Sequence, residues 1–253
     1  MLLRSTLLRS PHGFPTREGG VSKGPFASLN TSLTVGDVAD DVAENVRRLS
    51  AALEATPAQV LTVHQVHGTR VLEGLRAGEG VVGEADALVT RTGGLIVGVK
   101  TADCLPILIE DRRSGAVAAV HAGWRGVMGE IVLRALEQLI SAGAALDSLF
   151  VAVGPAIQAC CFEVDGDLPA RFASTFGPEI VRSLPGKARA HLDLGLGVRR
   201  SLERAGLAAS HVDVLPQCTR CDERFFSHRR DRGVTGRHLS VIRCAPPAVD
   251  TAL

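Results

Sequence analysis

The chain has 253 residues, a formal net charge of +1 and 4% aromatic residues, with eight Phe, one Trp and no Tyr. The near-neutral charge argues against a broad basic groove for nucleic acid, and the shortage of aromatic residues argues against a base-stacking platform. No stretch approaches 18 uninterrupted apolar residues, and the first residues lack the apolar core and cleavage site of a signal peptide. We therefore expect a cytoplasmic protein with no membrane or nucleic-acid partner, and with six reduced cysteines.

Apolar periodicity predicts the elements in chain order. Steps of three and four residues predict a helix over 37–53 with Asp37 as its N-cap. Six short apolar segments predict strands over 60–66, 70–75, 85–90, 95–100, 105–110 and 116–121. They follow one another too closely for crossover helices, which favours local antiparallel pairing. Further helices are predicted over 127–142, 168–176 and 192–205, and strands over 150–153, 212–215 and 239–242.

The distribution of these elements bounds the fold class. We find no repeat, low-complexity segment or linker, so residues 1–253 are predicted to form a single domain. Runs of strands with helices gathered elsewhere are typical of an α+β protein.

Three segments place a potential metal ligand where a predicted strand meets a turn: HQVHG (64–68), TADCLP (101–106) and AVHAGWRG (119–126). Strand ends are positions where loops assemble sites on a rigid scaffold. Their two histidines and one cysteine, His67, Cys104 and His121, suit tetrahedral zinc with a fourth position open to water or substrate. The gaps of 37 and 17 residues match no compact finger pattern, so the prediction rests on this shared placement.

The same residues permit a second chemistry. Cys104 and His121 could act as a thiolate nucleophile and an imidazole base, with Asp103 orienting the base. Spacing does not separate such a cysteine hydrolase from a metal site, although only the metal site gives His67 a role.

A rival zinc set combines a CxxC motif with two later histidines: Cys218, Cys221, His228 and His238. The CxxC spacing fits a structural site, but the histidines stand ten residues apart, too far for the usual histidine half. Cys160 and Cys161 are adjacent, and we expect them to be split between the core and the surface.

Arginines supply the candidates for anion binding. Arg125 precedes the helix predicted to follow it, whose free N–H groups would make residues 123–127 a cradle for phosphate or carboxylate. Arg17 lies in the loop-like stretch PTREGG, and the three arginines within 229–232 form a basic cluster that is typical of a solvated turn.

At these residues the chain resembles the laccase-domain family, once described as multicopper polyphenol oxidases and later as purine nucleoside phosphorylases. The matching segments run in order over about nine-tenths of the chain: HGFPTREGGVS (12–22), SLN (28–30), GD (36–37), QVHG (65–68), ADALVT (85–90), TADCLP (101–106), AVHAGWRG (119–126), GPAI (154–157), FEV (162–164), CT (218–219), FFSHRRD (225–231) and TGR (235–237). The pair TADCLP and HAGWRG is highly specific.

The resemblance implies a single domain with a mixed β-sandwich flanked by helices, in α/β/β/α layers, and a zinc site on His67, Cys104 and His121. It implies phosphorolysis of adenosine, inosine, guanosine and methylthioadenosine, with adenosine deamination as a second activity. The implied partners are purine nucleosides and phosphate, and we expect a monomer or a small homo-oligomer. The older copper label fits poorly, because one two-His, one-Cys set does not supply a multicopper cluster. Editing of peptidoglycan precursors, also proposed for this family, stays open.

The resemblance also suggests roles for the polar residues near the proposed ligands. Arg125, with Arg17, would neutralise phosphate, and Asp103 would orient a ligand or act as a general acid. Asn30 and Gln65 are candidate hydrogen-bonding partners of the substrate. The chain departs from the family in the early helix, where Val46 replaces the usual arginine, and Arg47 or Arg48 would have to compensate.

Overall fold

Residues 2–245 are described by a computed structural model that contains fifteen strands and five α-helices. The strands are β1 (Leu2–Leu3), β2 (His12–Pro15), β3 (Val60–His64), β4 (Val71–Glu73), β5 (Val81–Glu84), β6 (Ala87–Thr90), β7 (Ile96–Thr101), β8 (Leu105–Asp111), β9 (Val117–Ala122), β10 (Leu149–Val153), β11 (Glu163–Val164), β12 (Val181–Arg182), β13 (Ala190–Leu192), β14 (Val212–Val214) and β15 (His238–Arg243). The helices are α1 (Ala39–Ala51), α2 (Trp124–Met128), α3 (Ile131–Ser141), α4 (Leu168–Phe176) and α5 (Leu194–Arg204). Within residues 2–245, no helix has the length and apolar character needed to cross a membrane.

The strands form two large sheets and one small one. The first sheet has the order β1-β2-β15-β7-β3-β5 and the second the order β14-β10-β8-β9-β6-β4. A three-stranded sheet, β11-β13-β12, stands apart from both. Both large sheets mix parallel and antiparallel neighbours.

Three clusters of buried apolar side chains fill the spaces between four layers. Leu49 of α1 belongs to the cluster against the outer face of the first sheet, and Val97 belongs to the cluster between the sheets. On β8, Leu108 faces the first sheet while the adjacent Ile109 faces the helices, because successive strand residues point to opposite faces. The third cluster, between the second sheet and the helices, contains this Ile109 and Leu136 of α3. The α+β sandwich flanked by helices on both sides is therefore confirmed.

Local antiparallel pairing, as predicted, holds for β8 and β9 but is wrong for the strands before them. From β3 to β8 the chain alternates between sheets, with β3, β5 and β7 in the first and β4, β6 and β8 in the second. Each short connection therefore crosses the sandwich instead of forming a hairpin. As a result β3 lies parallel to both β5 and β7, and β4 lies parallel to β6.

The helix predicted over 127–142 is two helices, α2 and α3, separated at Gly129 and Glu130. Glu130 adopts a φ of 53°, in the left-handed region, which ends helical geometry. Its carboxylate accepts a hydrogen bond from Ser201 Oγ (2.8 Å) and pairs with Arg204, both on α5. A tertiary contact thus fixes a corner that apolar periodicity alone does not reveal.

The first helix begins at Ala39, two residues after the predicted start. Asp37 does not cap it as expected, because the N-cap position is Val38. The carboxylate of Asp37 instead accepts hydrogen bonds from the side chain of Asn30 (2.8 Å) and from the N–H of Val38 (2.8 Å). No bounds were predicted for strands β1, β2, β5 and β11–β13, and five of these six have two or three residues or are largely exposed.

Candidate metal centre

The three residues that the sequence predicts as metal ligands converge at one edge of the sandwich. His67 lies in the turn after β3, Cys104 immediately precedes β8, and His121 lies near the end of β9. Their ligand atoms all lie within 4.8 Å of one another, and Cys104 Sγ is 4.0 Å from His67 Nε2. The two imidazole rings are nearly perpendicular, at 85°, with centroids 4.8 Å apart.

A buried carboxylate holds this arrangement. Asp86 Oδ1 lies 2.7 Å from Nδ1 of His121, which leaves Nε2 of that ring for a ligand bond. The two oxygens of Asp86 also accept hydrogen bonds from the N–H groups of Val66, His67 and Gly68. These bonds hold His67 at a φ of 60°, a left-handed conformation that persists at functional sites where the surroundings enforce it.

The ionisation of these groups is coupled. Burial raises the pKa of the Cys104 thiol, but hydrogen bonds and charge from His121 and His67 outweigh it and lower the pKa to about 6. Burial lowers the pKa of His121, yet Asp86 and Cys104 raise it overall to about 9. Burial also disfavours ionised Asp86, but hydrogen bonds from His121 and Gly68 hold its pKa below the usual value. Cys104 is therefore a thiolate near neutral pH, the form that binds a metal ion.

Gly123 leaves the space into which the ligand atoms point. A Cβ at this position would lie 3.0 Å from His67 Cδ2 and 3.2 Å from Cys104 Sγ. Any side chain here would force two of the three ligands to shift by a few tenths of an ångström, so a glycine at this position preserves their arrangement.

A cavity of about 530 Å³ contains the three ligands in its wall. This volume lies in the range of small-molecule sites. Its apolar wall is formed by Val63, Val81, Trp124, Ile157, Phe162 and Leu194. Trp124, the only tryptophan, is half-buried, and the guanidinium of Arg125 lies 4.2 Å from the centre of its ring.

Positive charge dominates the polar part of this cavity. One carboxylate, that of Asp103, lines the cavity. Four cationic side chains line it as well: Lys100, Arg125, Arg229 and Arg237. None of the four forms an ion pair with another residue in the range 2–245. Burial lowers the pKa of Lys100 and of Arg237, and the charges of Cys104 and Asp103 partly offset this at Arg237. Unpaired cations in a concave site attract anions.

Helix α2, which follows Gly123, has only five residues, so the long helix expected to stand behind an anion cradle is absent at this point. The cationic side chains, rather than a helix dipole, supply the positive field of the cavity. Arg229 belongs to the basic cluster that the sequence assigned to a solvated turn, and it lines the cavity together with Arg237.

Asp103 is fixed by the protein through both of its carboxylate oxygens. Oδ1 accepts a hydrogen bond from Thr219 Oγ1 (2.6 Å) and Oδ2 accepts one from the N–H of Arg229 (2.7 Å). Its carbonyl accepts a bond from the N–H of Ile157 (2.9 Å), and its φ is 89°. These three hydrogen bonds fix the backbone next to Cys104.

The other predicted site residues divide into two groups. Gln65 and Arg125 line the cavity, and the Gln65 amide exchanges two hydrogen bonds of 2.7 Å with the backbone of Lys100. Asn30 is fully buried and its oxygen accepts a bond from the N–H of Arg237 (2.9 Å). Arg17 donates to the carbonyl of Ala27. Neither Asn30 nor Arg17 lines the cavity as found in residues 2–245, and both make the loop contacts just described. Their contacts with substrate stay a prediction.

The two arginines expected to compensate for Val46 lie outside the cavity. Arg47 and Arg48 both pair with Glu44 on the exposed side of α1, and Arg48 also bonds to the carbonyl of Gly19. Neither arginine lines the cavity.

The rival zinc set with two histidines is wrong. His238 is buried, accepts a hydrogen bond from the N–H of Phe226 (3.0 Å) and has its pKa lowered by burial to about 3. His228 lines the large cavity instead. Cys160 is exposed and Cys161 buried, as expected from their adjacency.

Sequence reasoning missed Asp86, Lys100 and Arg237. Asp86 stands in ADALVT and Arg237 in TGR, two segments that carry the family resemblance but received no role. An acidic residue at the start of an apolar strand is the sequence pattern that could have identified Asp86 as a site residue. Lys100 ends a predicted strand, and only the fold shows that this end reaches the site.

Together these features define a candidate mononuclear metal centre, with two imidazoles and one thiolate, in the wall of a cationic cavity. Residues 11–245 match the family model described as multi-copper polyphenol oxidoreductase laccase, so the chain belongs to this family.

Relatives span nearly the whole chain. The "Purine nucleoside phosphorylase" of Deinococcus radiodurans is 42% identical over 244 residues, covering 95% of this chain and 92% of the relative. The "Adenosine deaminase RL5" of an unknown prokaryotic organism is 35% identical over 241 residues, covering 90% and 92%. The crystal structure of YlmD from Geobacillus stearothermophilus superposes with a TM-score of 0.85 at 36% identity, covering 96% of this chain and 98% of the other.

Proposed function

We propose that the protein is a zinc-dependent purine nucleoside phosphorylase that also deaminates adenosine. The observation that carries this proposal is the convergence of His67, Cys104 and His121 in the wall of a cavity whose four cations form no salt bridge within residues 2–245. The names of the relatives supply the substrate class.

The donor set fits zinc. Two imidazole nitrogens and a thiolate are ligands that tetrahedral zinc accepts, and three protein ligands leave one position open. When bound, zinc supplies Lewis-acid polarisation of an oxygen on substrate or phosphate.

The chain's own cations would bind phosphate and orient it. Arg237 and Arg125 carry guanidinium groups suited to bidentate contact with phosphate oxygens, and Lys100 adds a point charge. In phosphorolysis the bond between C1′ of the ribose and the purine nitrogen breaks, and a phosphate oxygen forms the new bond to C1′. The proton of hydrogen phosphate ends on the released purine, so the products are free base and ribose 1-phosphate.

The apolar wall would hold the purine. Trp124 and Phe162 offer aromatic surface, and Ile157 and Val81 offer aliphatic surface. Because the chain has no tyrosine, no phenol assists recognition or proton transfer. Asp103 would act by positioning, since its carboxylate already accepts hydrogen bonds from Thr219 Oγ1 and from the N–H of Arg229.

Product identification tests the proposal. The metal-loaded protein is incubated with adenosine, with and without phosphate, and adenine, ribose 1-phosphate and inosine are separated and quantified. We expect adenine and ribose 1-phosphate only with phosphate, and inosine in either condition. The His121→Ala variant should form none of the three. A fully zinc-loaded protein that forms no product from adenosine, inosine, guanosine or methylthioadenosine would refute the proposal.

A second candidate is a Cys–His hydrolase, favoured by the thiolate state of Cys104 beside a protonated His121. Chelation distinguishes the two. A hydrolase is inactivated by alkylation of Cys104 and is indifferent to chelators, whereas the phosphorylase loses activity when its metal is removed.

A further inference from the structure

Four cysteines outside the cavity meet on two neighbouring loops. Cys160 and Cys161 lie in the turn after β10, and Cys218 and Cys221 lie in the segment after β14. The loops are joined by a β-bridge between Ala156 and Cys218. Thus 56 intervening residues separate two pairs of thiols whose sulfur atoms all lie within 4.8 Å of one another.

Two of the three sulfur–sulfur distances below match shared coordination of a metal ion, and the third is shorter. Cys160 Sγ lies 3.7 Å from Cys161 Sγ and 3.7 Å from Cys221 Sγ, and the last two are 3.2 Å apart. Zinc binds thiolates at about 2.3 Å in tetrahedral geometry, which places neighbouring sulfurs about 3.7–3.8 Å apart. The N–H of Gln158 also points to Cys218 Sγ at 3.4 Å, a contact that supports a negatively charged sulfur.

We propose that Cys160, Cys161, Cys218 and Cys221 form a structural zinc site that is separate from the two-His, one-Cys centre. Four thiolates close the coordination shell and leave no position for substrate, which is typical of a structural role. The two pairs come from separate loops, so the ion would tie these loops together. Binding replaces the thiol protons, which are released to solvent.

Both loops that carry the cysteines also form hydrogen bonds to Asp103 in the wall of the cavity. Thr219 lies between two of the cysteines and donates its hydroxyl to Asp103 (2.6 Å), which directly precedes Cys104. The N–H of Ile157, on the other loop, donates to the carbonyl of Asp103 (2.9 Å). An ion that fixes both loops would therefore brace the wall of the cavity beside Cys104.

Metal counting tests the proposal without reference to activity. The full chain is produced with zinc in the medium, and its mass is measured under native and denaturing conditions. We expect two zinc ions per chain and six reduced cysteines. After exchange with cadmium-113, the NMR spectrum of the same protein should show two signals, one in the range of four-thiolate coordination. A protein without the four-thiolate signal, or a mass two hydrogens short with a bond between Cys161 and Cys221, would overturn the proposal.

Substitutions assign the second ion. The variant Cys160→Ser/Cys221→Ser changes the two exposed thiols, which limits the risk to folding. It should bind one zinc ion and lose the four-thiolate signal, while Cys104→Ser should lose the other signal. Cys244→Ser is the matched control, since Cys244 is buried elsewhere and bonds to the carbonyl of Gly115, and it should retain two ions. Two ions in the double variant would contradict the assignment.

Discussion

Asp86 and His121 form a buried pair in which the carboxylate lies 2.7 Å from the imidazole Nδ1. Asp86 is fully buried and His121 is 3% exposed, so water does not compete for this bond. The pair comes from the residue that precedes β6 and from β9, which are adjacent strands of the second sheet. The scaffold thus sets which imidazole nitrogen faces the proposed metal.

The first prediction concerns this pair. Asp86→Asn keeps the shape of the side chain but removes the negative charge that orients His121 and increases its basicity. We expect zinc affinity to fall about 10- to 100-fold, as is typical of partners behind a ligand. Competition with a chromophoric chelator measures the affinity, and circular dichroism checks the fold. Unchanged affinity in a folded variant would show that Asp86 has no role in binding.

The second prediction concerns Gly123. In Gly123→Ala the added methyl would stand 3.0 Å from His67 Cδ2 and 3.2 Å from Cys104 Sγ, so these ligands must shift. We expect zinc affinity to fall by roughly tenfold or more. Gly195→Ala is the matched control, because its new Cβ would meet its nearest atom at an ordinary 3.4 Å. Equal affinities for the two variants would contradict the steric account.

The third prediction concerns the cations of the cavity. Arg237→Gln and Arg125→Gln each remove a charged donor from the proposed phosphate site. A hydrogen bond to a charged group contributes about 1.5–3 kcal/mol, so we expect the KM for phosphate to rise roughly 10- to 100-fold. Steady-state kinetics with varied phosphate measures this. Arg134→Gln, on the exposed face of α3, should leave the KM unchanged.

The fourth prediction concerns pH. Burial lowers the folded-state pKa of His238 to about 3, below its usual value near 6.5. Between these values the unfolded chain binds a proton that the folded chain does not. The stability from a neutral His238 is therefore present above about pH 6.5 and is lost as pH falls, by up to about 1.4 kcal/mol per pH unit.

Urea unfolding at pH 7 and pH 5.5 checks this contribution. His238→Gln retains an acceptor for the N–H of Phe226 but does not titrate. We expect the wild type to lose more free energy of unfolding than the variant between the two pH values. An equal loss in both proteins would assign the acid sensitivity to other groups.

The sequence predicted the three proposed ligands because each stands at the end of an apolar strand, a local pattern. It did not predict that β3 and β8 lie in different sheets, because the crossing of short connections depends on tertiary packing. Asp86 was missed for the same reason, since its partner His121 is 35 residues away. The sequence divided the four-cysteine cluster into two unrelated pairs. The two loops meet only in the folded chain, where β10 pairs with β14 and Ala156 forms a bridge with Cys218.

Metal removal and return test the central claim most directly. The protein is stripped of metal, incubated with adenosine and phosphate, and assayed again after zinc is restored, with ribose 1-phosphate and adenine quantified in each state. We predict equimolar ribose 1-phosphate and adenine from the zinc-loaded protein, loss of both on stripping, and recovery with zinc. Undiminished formation of ribose 1-phosphate by metal-free protein, or none by the zinc-loaded protein, would contradict a zinc-dependent phosphorylase.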